Sequence, residues 1–119
     1  MSVPLIPRRE LHFQLHDWLG VDALLQAPRF AAHSAETFDA VMDSCDRLAA
    51  EVFAPCYQAA DRDEPQFDGE HVSVHPQVAE AVRAFAGSGL IAATEDHAVG
   101  GMQLPVVVEK AALVNLYAA

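Results

Sequence analysis

Long apolar runs, basic residues and cysteines are all scarce in this sequence of 119 residues. No stretch approaches the roughly 20 apolar residues that a membrane-spanning helix needs, so we expect no membrane span. Lysine and arginine total 7 against 17 aspartates and glutamates, which gives a formal net charge of −10. Phosphate backbones and anionic lipid surfaces repel such a protein, and nucleic acid is therefore an unfavourable partner.

Cysteine occurs only at Cys45 and Cys56, outside any C-x-x-C motif. Two isolated thiols favour a reducing compartment and argue against a redox role. Residues 1–13 also lack the apolar core of a signal peptide. The sequence therefore predicts a cytoplasmic protein.

Apolar residues make up 52% of the chain, enough for one packed domain over residues 1–119. Their spacing follows the helical period, and no alternation of strands with helices is evident. The predicted class is all-α, a helical bundle with one long irregular connection. Pro4 and Pro7 disfavour helix, so residues 1–7 are expected to form an extended arm.

The helical pattern is clearest after Ser34, a favourable N-cap residue. Helices are predicted at about 8–19, 34–62 and 76–86 and from Pro105 onward, with Pro55 kinking or ending the second. Asp22 is expected to cap a short helix that Pro28 stops. The apolar positions predicted to be buried in the first three helices are Leu11, Leu15, Trp18, Leu19, Phe38, Val41, Met42, Cys45, Leu48, Ala49, Val52, Phe53, Val78, Ala81, Val82 and Phe85.

Residues 61–76 break the helical period. Asp68-Gly69 is a turn dipeptide, and Phe67, Val72 and Val74 flank it at alternating spacing. The pattern is compatible with a small irregular hairpin and equally with a loop.

Few side chains have the spacing of a catalytic or metal site. His12 and His16 are four residues apart on a predicted helix and share a face, which can hold a metal ion. Zinc needs three or four ligands, and no other histidine or cysteine cluster has ligand spacing, so we expect a polar flank and no metal. The serines lack a G-x-S-x-G motif, and Gly100-Gly101 lacks the rest of a dinucleotide fingerprint. No self-contained active site is predicted.

The order of the segments resembles the N-terminal helical domain of acyl-CoA dehydrogenases. It is most similar to the long branch of that family, which includes methylthiopropanoyl-CoA dehydrogenases and large fatty acyl-CoA dehydrogenases. Val99 stands where a tyrosine usually precedes the two glycines, and Leu90 replaces the usual tryptophan. The segments that carry the resemblance are PLIPRRELHFQLHDWLG (4–20), VDALLQAPRF (21–30), EVFAPCYQAAD (51–61), the DGEHV turn and AFAGSGLIAATEDHAVGGMQLPVVVEKAALVN (84–115).

The resemblance implies a domain of an FAD-dependent oxidoreductase that dehydrogenates acyl-CoA thioesters at the α and β carbons. Complete members add a middle β-domain and a C-terminal helical domain, which hold the catalytic glutamate and most flavin contacts; both are absent from residues 1–119. This chain alone is therefore expected to be inactive, to bind no flavin and to form one wall of the acyl pocket. The substrate-binding residues that the resemblance implies are Gly100, Gly101, Val107, Val108, Glu109, Ala111, Ala112 and Asn115.

The helix from Pro105 is still in its apolar pattern at Ala119, and no C-cap sequence follows. A truncated or separately encoded piece is the expectation, with self-association or a partner chain that supplies the missing domains. The alternative is a non-catalytic helical interaction module derived from the same domain.

Overall fold

A computed structural model describes residues 5–119, so most of the predicted extended arm lies outside the described residues. The chain is mostly helical, which confirms the all-α class. None of the helices in the described part is long and apolar enough to cross a membrane. In chain order the elements are α1 (Arg8–His12) with a first π turn (Phe13–Trp18), 3₁₀ helices at Val21–Gln26 and Pro28–Phe30, α2 (Ala35–Leu48) with a second π turn (Ala49–Phe53), α3 (Ala54–Arg62), strands β1 (Gln66–Phe67) and β2 (Val72–Ser73), α4 (Pro76–Gly87), 3₁₀ helices at Leu90–Ala92 and His97–Val99, and α5 (Val106–Ala118).

Helix α2 begins where the sequence predicts. The Ser34 hydroxyl accepts from the Thr37 backbone N–H, and the Thr37 hydroxyl accepts from the Ser34 backbone N–H, each at 3.2 Å. This reciprocal capping box satisfies two donors that would otherwise lack partners. It fixes the start of the helix whose buried face, Phe38, Val41, Met42 and Cys45, supplies four of the eleven residues of the buried core.

The second π turn changes which side of this helix is buried. Val52 and Phe53 were predicted to lie in the core but are only half-buried, whereas Ala49 and Cys56 are buried. A π turn bonds residue i to i+5, so it inserts an extra residue and rotates the following side chains off the α-helical stripe. The helix continues past Pro55 to Arg62, which confirms the predicted extent, and the π turn lies directly ahead of the proline.

The first π turn has the same consequence in the N-terminal helix. Leu15 is buried as predicted, but Trp18 is 71% exposed and Leu19 is 54% exposed. The prediction that these two residues share the buried stripe was wrong. The predicted buried stripe assumes 3.6 residues per turn, and the π turn from Phe13 to Trp18 does not follow that period.

Asp22 does not cap a helix. The 3₁₀ helix Val21–Gln26 starts after Gly20, whose φ of 62° is left-handed, and no side chain caps it. The Asp22 carboxylate instead lies 3.1 Å from Nδ1 of His16. The predicted cap is therefore absent, and the Asp22 side chain contacts His16 of the preceding helix instead.

The connection between α3 and α4 is a hairpin. Phe67 pairs with Val72 in antiparallel register, and the Asp68 carboxylate accepts from the backbone N–H groups of Glu70 and His71 at 2.8 and 2.7 Å. This resolves the open choice between hairpin and loop. Its side chains face solvent, so it adds nothing to the core.

Helix α4 buries less than its sequence indicates. Ala81 is 3% exposed, but Val82 is 58% exposed, which contradicts its predicted place in the core. Phe85 is half-buried and packs against the edge of the core. One face of α4 is therefore apolar without being covered.

The core lies between α2 and α5, which pack against each other. The first π turn and the segment before α5 also contribute buried residues to it. Pro105 takes the N-cap position of α5, and the helix itself starts at Val106. The predicted positions Leu48 and Phe85 are only partly buried at its edge. The buried cluster consists of Leu15, Val21, Phe38, Val41, Met42, Cys45, Leu90, Ala93, Leu104, Val108 and Ala112.

Candidate functional site

Gly100 and Gly101 lie in a loop, residues 93–104, whose backbone conformation and packing call for glycine at both positions. Gly100 has a left-handed φ of 86°, which L side chains rarely adopt. A Cβ on Gly101 would overlap the backbone carbonyl of Glu95. Both glycines therefore have a structural reason to be present, independent of any ligand.

In this glycine loop, the backbone N–H groups next to Gly100 and Gly101 all donate hydrogen bonds to nearby backbone carbonyls. Each of the five consecutive N–H groups from Gly100 to Leu104 donates to a carbonyl within residues 92–97, at 2.9–3.1 Å. An anion-binding loop needs N–H groups that point outward. The loop consequently offers no cradle for a phosphate.

Side chains from the first third of the chain fasten the same loop. Arg29 pairs with the Asp96 carboxylate at 2.6 Å and donates to the Thr94 carbonyl at 3.1 Å. Gln103, held at a left-handed φ of 54°, donates from its amide to the Arg29 carbonyl at 2.7 Å. A ring nitrogen of His33 lies 3.0 Å from the Gln103 carbonyl. The loop is thus tied to the fold by polar contacts that sequence patterns do not reveal.

The predicted substrate-binding residues divide into two groups in the structure. Val108 and Ala112 are 0% exposed and Asn115 is 1% exposed, because they face α2. They offer no surface to a ligand in this structure. The other group reaches the surface: Val107, Glu109, Ala111 and Gly101 are half-buried and Gly100 is exposed.

The polar side chains of Arg8, Asp46 and Asn115 lie close together beside α5. Arg8 donates to the Asp46 carboxylate at 3.1 Å, and among residues 5–119 both amide atoms of the buried Asn115 lack a hydrogen bond of ordinary geometry. Burial raises the pKa of Asp46 above its usual 3.8, while the charge of Arg8 acts in the opposite direction. The neighbouring Asn115 amide also lowers this pKa, which places it close to the carboxylate.

Cys45 belongs to the core, as predicted. It is fully buried, and burial raises the pKa of its thiol to about 11, with the negative charge of Asp46 adding to the shift. Thiolate is the nucleophilic form of cysteine. This residue is therefore unsuited to catalysis near neutral pH.

An open apolar groove runs between α4 and the outer face of α5. Its volume is about 270 Å³. Two of its residues, Val82 and Tyr117, are 58% and 77% exposed, so its rim faces solvent. The lining is Phe53, Val82, Phe85, Leu113, Leu116 and Tyr117.

A second cluster joins two elements that are far apart in sequence. The His12 and His16 rings lie 4.4 Å apart between centroids, and Asp39 of α2 approaches them from the side. One ligating atom from each of the three residues lies within 4.8 Å of the others. The distance from His16 Nε2 to an Asp39 carboxylate oxygen is 3.6 Å.

The surroundings of His16 fix its orientation. Only 9% of its side chain is exposed, and Asp22 holds Nδ1 at 3.1 Å. Nε2 is buried and has no hydrogen-bond partner among the described residues. Arg8 lies next to the cluster: it pairs with Asp43 at 3.0 Å and Asp46 at 3.1 Å, and it donates to the Asp39 backbone carbonyl at 2.9 Å while lying 3.9 Å from the Asp39 carboxylate.

Sequence reasoning found the histidine pair but missed its third member. Nothing in the local pattern of Asp39 connects it with His16 and His12, which lie 23 and 27 positions earlier in the sequence. The groove was missed because Val82 and Phe53 were placed in the core. Only the tertiary structure, which brings His12 and His16 beside α2 and places α4 and α5 on two sides of a groove, could disclose either site.

No model of a known protein family matches the chain, and no curated protein matches it. Function must therefore be argued from the geometry and from the segment order described above.

Proposed function

We propose that this chain is the N-terminal helical domain of an acyl-CoA dehydrogenase-like flavoprotein, and that its role is to provide apolar contact for the acyl chain. The observation that carries the proposal is the open groove lined by Phe85, Leu113, Leu116 and their neighbours. An acyl tail needs an apolar surface of this kind. The all-α architecture and the segment order from residue 4 to residue 115 support the same assignment.

The size of the groove limits what it can hold. Ligand pockets usually measure roughly 300–1,000 Å³, and this groove has about 270 Å³. It would accept a short acyl chain, or form one wall of a larger cavity. The proposed contact surface is the outer face of α5, since Val108 and Ala112 on the inner face are covered by α2.

The glycine loop does not by itself fit FAD. Its pyrophosphate needs outward-pointing N–H groups or free cations, but the amides of the glycine loop are engaged and Arg29 is paired with Asp96. The formal charge of −10 further opposes a phosphate ligand. The proposal therefore assigns no flavin chemistry to this chain, and the acid-base and hydride steps belong to the domains that complete members possess.

Binding of octanoyl-CoA, measured by isothermal titration calorimetry with free CoA as reference, tests the proposal. Acyl-dependent binding is expected for the wild type and should weaken in Val82→Asp, which places a charge on the rim of the groove. Ile91→Asp is the matched control, because Ile91 is 67% exposed and lies outside the groove. Equal binding of octanoyl-CoA and CoA, or equal binding by the two variants, would refute the acyl role.

The second candidate is a non-catalytic helical interaction module. The exposed rim at Val82 and Tyr117 favours it, because an amphipathic helix can dock into such a groove. Sedimentation velocity separates the two functions. Concentration-dependent association that Val82→Asp abolishes, without any acyl-dependent binding, would favour the module.

A further inference from the structure

We propose that His12, His16 and Asp39 form a binding site for a divalent transition-metal ion of the zinc type. The proposal is independent of the acyl groove, which lies between other elements. It starts from one atom, Nε2 of His16, in a side chain that is more than nine-tenths buried. This atom has no hydrogen-bond partner among the described residues and points toward the Asp39 carboxylate.

The hydrogen bond at the other ring nitrogen determines what Nε2 can do. Asp22 lies 3.1 and 3.3 Å from Nδ1 through its two oxygens, so Nδ1 carries the proton that it donates. In the neutral ring Nε2 then holds a lone pair. A lone pair and a carboxylate oxygen 3.6 Å apart repel each other unless a cation lies between them.

This arrangement is the one that proteins use to orient a metal-ligating histidine. Such histidines donate their second N–H to a carboxylate or carbonyl, which fixes the tautomer and makes the ligating nitrogen more basic. Asp22 fills that position for His16. Its place in the 3₁₀ helix, where it caps nothing, is explained by this contact.

The distances are those of a first coordination sphere. Two ligands about 2.0–2.2 Å from a tetrahedral zinc ion lie roughly 3.3–3.6 Å from each other. His16 Nε2 and the Asp39 oxygen meet that spacing at 3.6 Å, and a ring nitrogen of His12 is within 4.8 Å of both. His12 is exposed, so rotation of its side chain can close the remaining gap. Two imidazoles and one carboxylate suit zinc and its neighbours in the first transition series.

The local charge also favours a cation. The carboxylates of Asp39, Asp43 and Asp46 lie within 4 Å of one guanidinium, that of Arg8, and a fourth carboxylate, Asp22, contacts His16. Arg8 lies closer to the carboxylates of Asp43 and Asp46, at 3.0 and 3.1 Å, than to that of Asp39, at 3.9 Å, and its 2.9 Å hydrogen bond to Asp39 goes to the backbone carbonyl. The Asp39 carboxylate therefore keeps room to coordinate an ion. A bound divalent ion would offset the excess negative charge.

Titration of zinc chloride into untagged, chelator-treated protein, followed by calorimetry, tests the site. One ion per chain is expected. His12→Ala, His16→Ala and Asp39→Asn should each weaken binding by more than the roughly 10–100-fold that loss of a supporting second-shell partner costs, and Asp22→Ala should fall within that range. Cobalt gives a second measurement, since visible d–d bands should develop with the wild type and be lost with Asp39→Asn.

His71→Ala is the matched control, because it removes an exposed histidine of the hairpin and should leave zinc binding unchanged. His12 and Asp39 lie near the surface, so His12→Ala and Asp39→Asn test the metal site even if His16→Ala fails to fold. Circular dichroism checks that each variant is folded. No zinc uptake by the wild type would overturn the proposal. Binding that persists in His12→Ala and Asp39→Asn would overturn it equally.

Discussion

Two connections in this molecule use the same turn chemistry with opposite results. The hairpin connection, residues 63–75, and the loop connection, residues 88–105, each contain a glycine with positive φ, Gly69 at 101° and Gly100 at 86°. In the hairpin every side chain from Asp63 to Val74 is exposed. In the loop connection Leu90, Ala93, Leu104 and Pro105 are buried.

The bonding of the two connections differs in the same way. The hairpin is held by local contacts such as those of Asp68, within three residues. The loop connection bonds to Arg29 and His33, through the Thr94 and Gln103 carbonyls and the Gln103 amide, across about 65–74 residues of sequence. A turn signal therefore specifies a local bend, whereas long-range packing decides whether that bend becomes part of the core. Four predictions test this contrast.

The largest difference is expected for one apolar residue from each connection. Leu104→Ala should lower the free energy of unfolding by about 2–5 kcal/mol, because Leu104 is 1% exposed and its removal leaves a cavity. Val72→Ala should cost less than about 0.5 kcal/mol, because Val72 is 64% exposed. Urea unfolding of the two variants provides the comparison. Equal losses would mean that the hairpin packs as tightly as the loop.

Gly101→Ala should cost about 1–3 kcal/mol, the range for forcing extra volume into a packed position. The added Cβ would meet the Glu95 carbonyl, and backbone must move to relieve the overlap. Gly87→Ala is the control, because its Cβ would meet nothing within 4 Å. Thermal unfolding measures both. If Gly101→Ala melts at the same temperature as the wild type, the loop backbone moves at little energetic cost and this prediction is wrong.

Arg29→Ala should lower stability by at most about 1 kcal/mol, since the Arg29–Asp96 pair is partly exposed and solvent screens it. Its effect should be concentrated in the loop. Hydrogen exchange at the amides of Gly101 and Gln103 should accelerate, while the core of α2 keeps its protection. Uniform acceleration across the chain would instead indicate a global loss of stability.

The smallest effect is expected at Asp68. The N–H groups of His71 and Glu70 hold the pKa of this carboxyl below its usual 3.8. A carboxyl whose pKa is lower in the folded state stabilises the hairpin above pH 3.8, and the contribution disappears as the pH falls through the folded value. The amide resonances of Glu70 and His71 should follow this titration by NMR and lose it in Asp68→Asn. A midpoint at or above 3.8 would contradict these bonds.

Much of the helical framework could be predicted from the sequence. Ser34 marks the start of α2, and the spacing of Phe38, Met42 and Cys45 identifies its buried face. These features depend on residues within one or two turns of each other, so local physical chemistry is sufficient. The predictions for Trp18 and Val52 were wrong because π turns shift the helical register, and their neighbours in sequence do not reveal such a shift.

The composition and local patterns by themselves determined the all-α class, the strong negative charge, the cap at Ser34 and the turns at Asp68-Gly69 and Gly100-Gly101. The tertiary structure alone decided which turn enters the core, where the apolar groove opens and that Asp39 meets His12 and His16. The physical reason is distance along the chain. Capping and periodicity act over three to eight residues, whereas a groove or a ligand set is created when separate helices pack, and that depends on the shapes of all their faces at once.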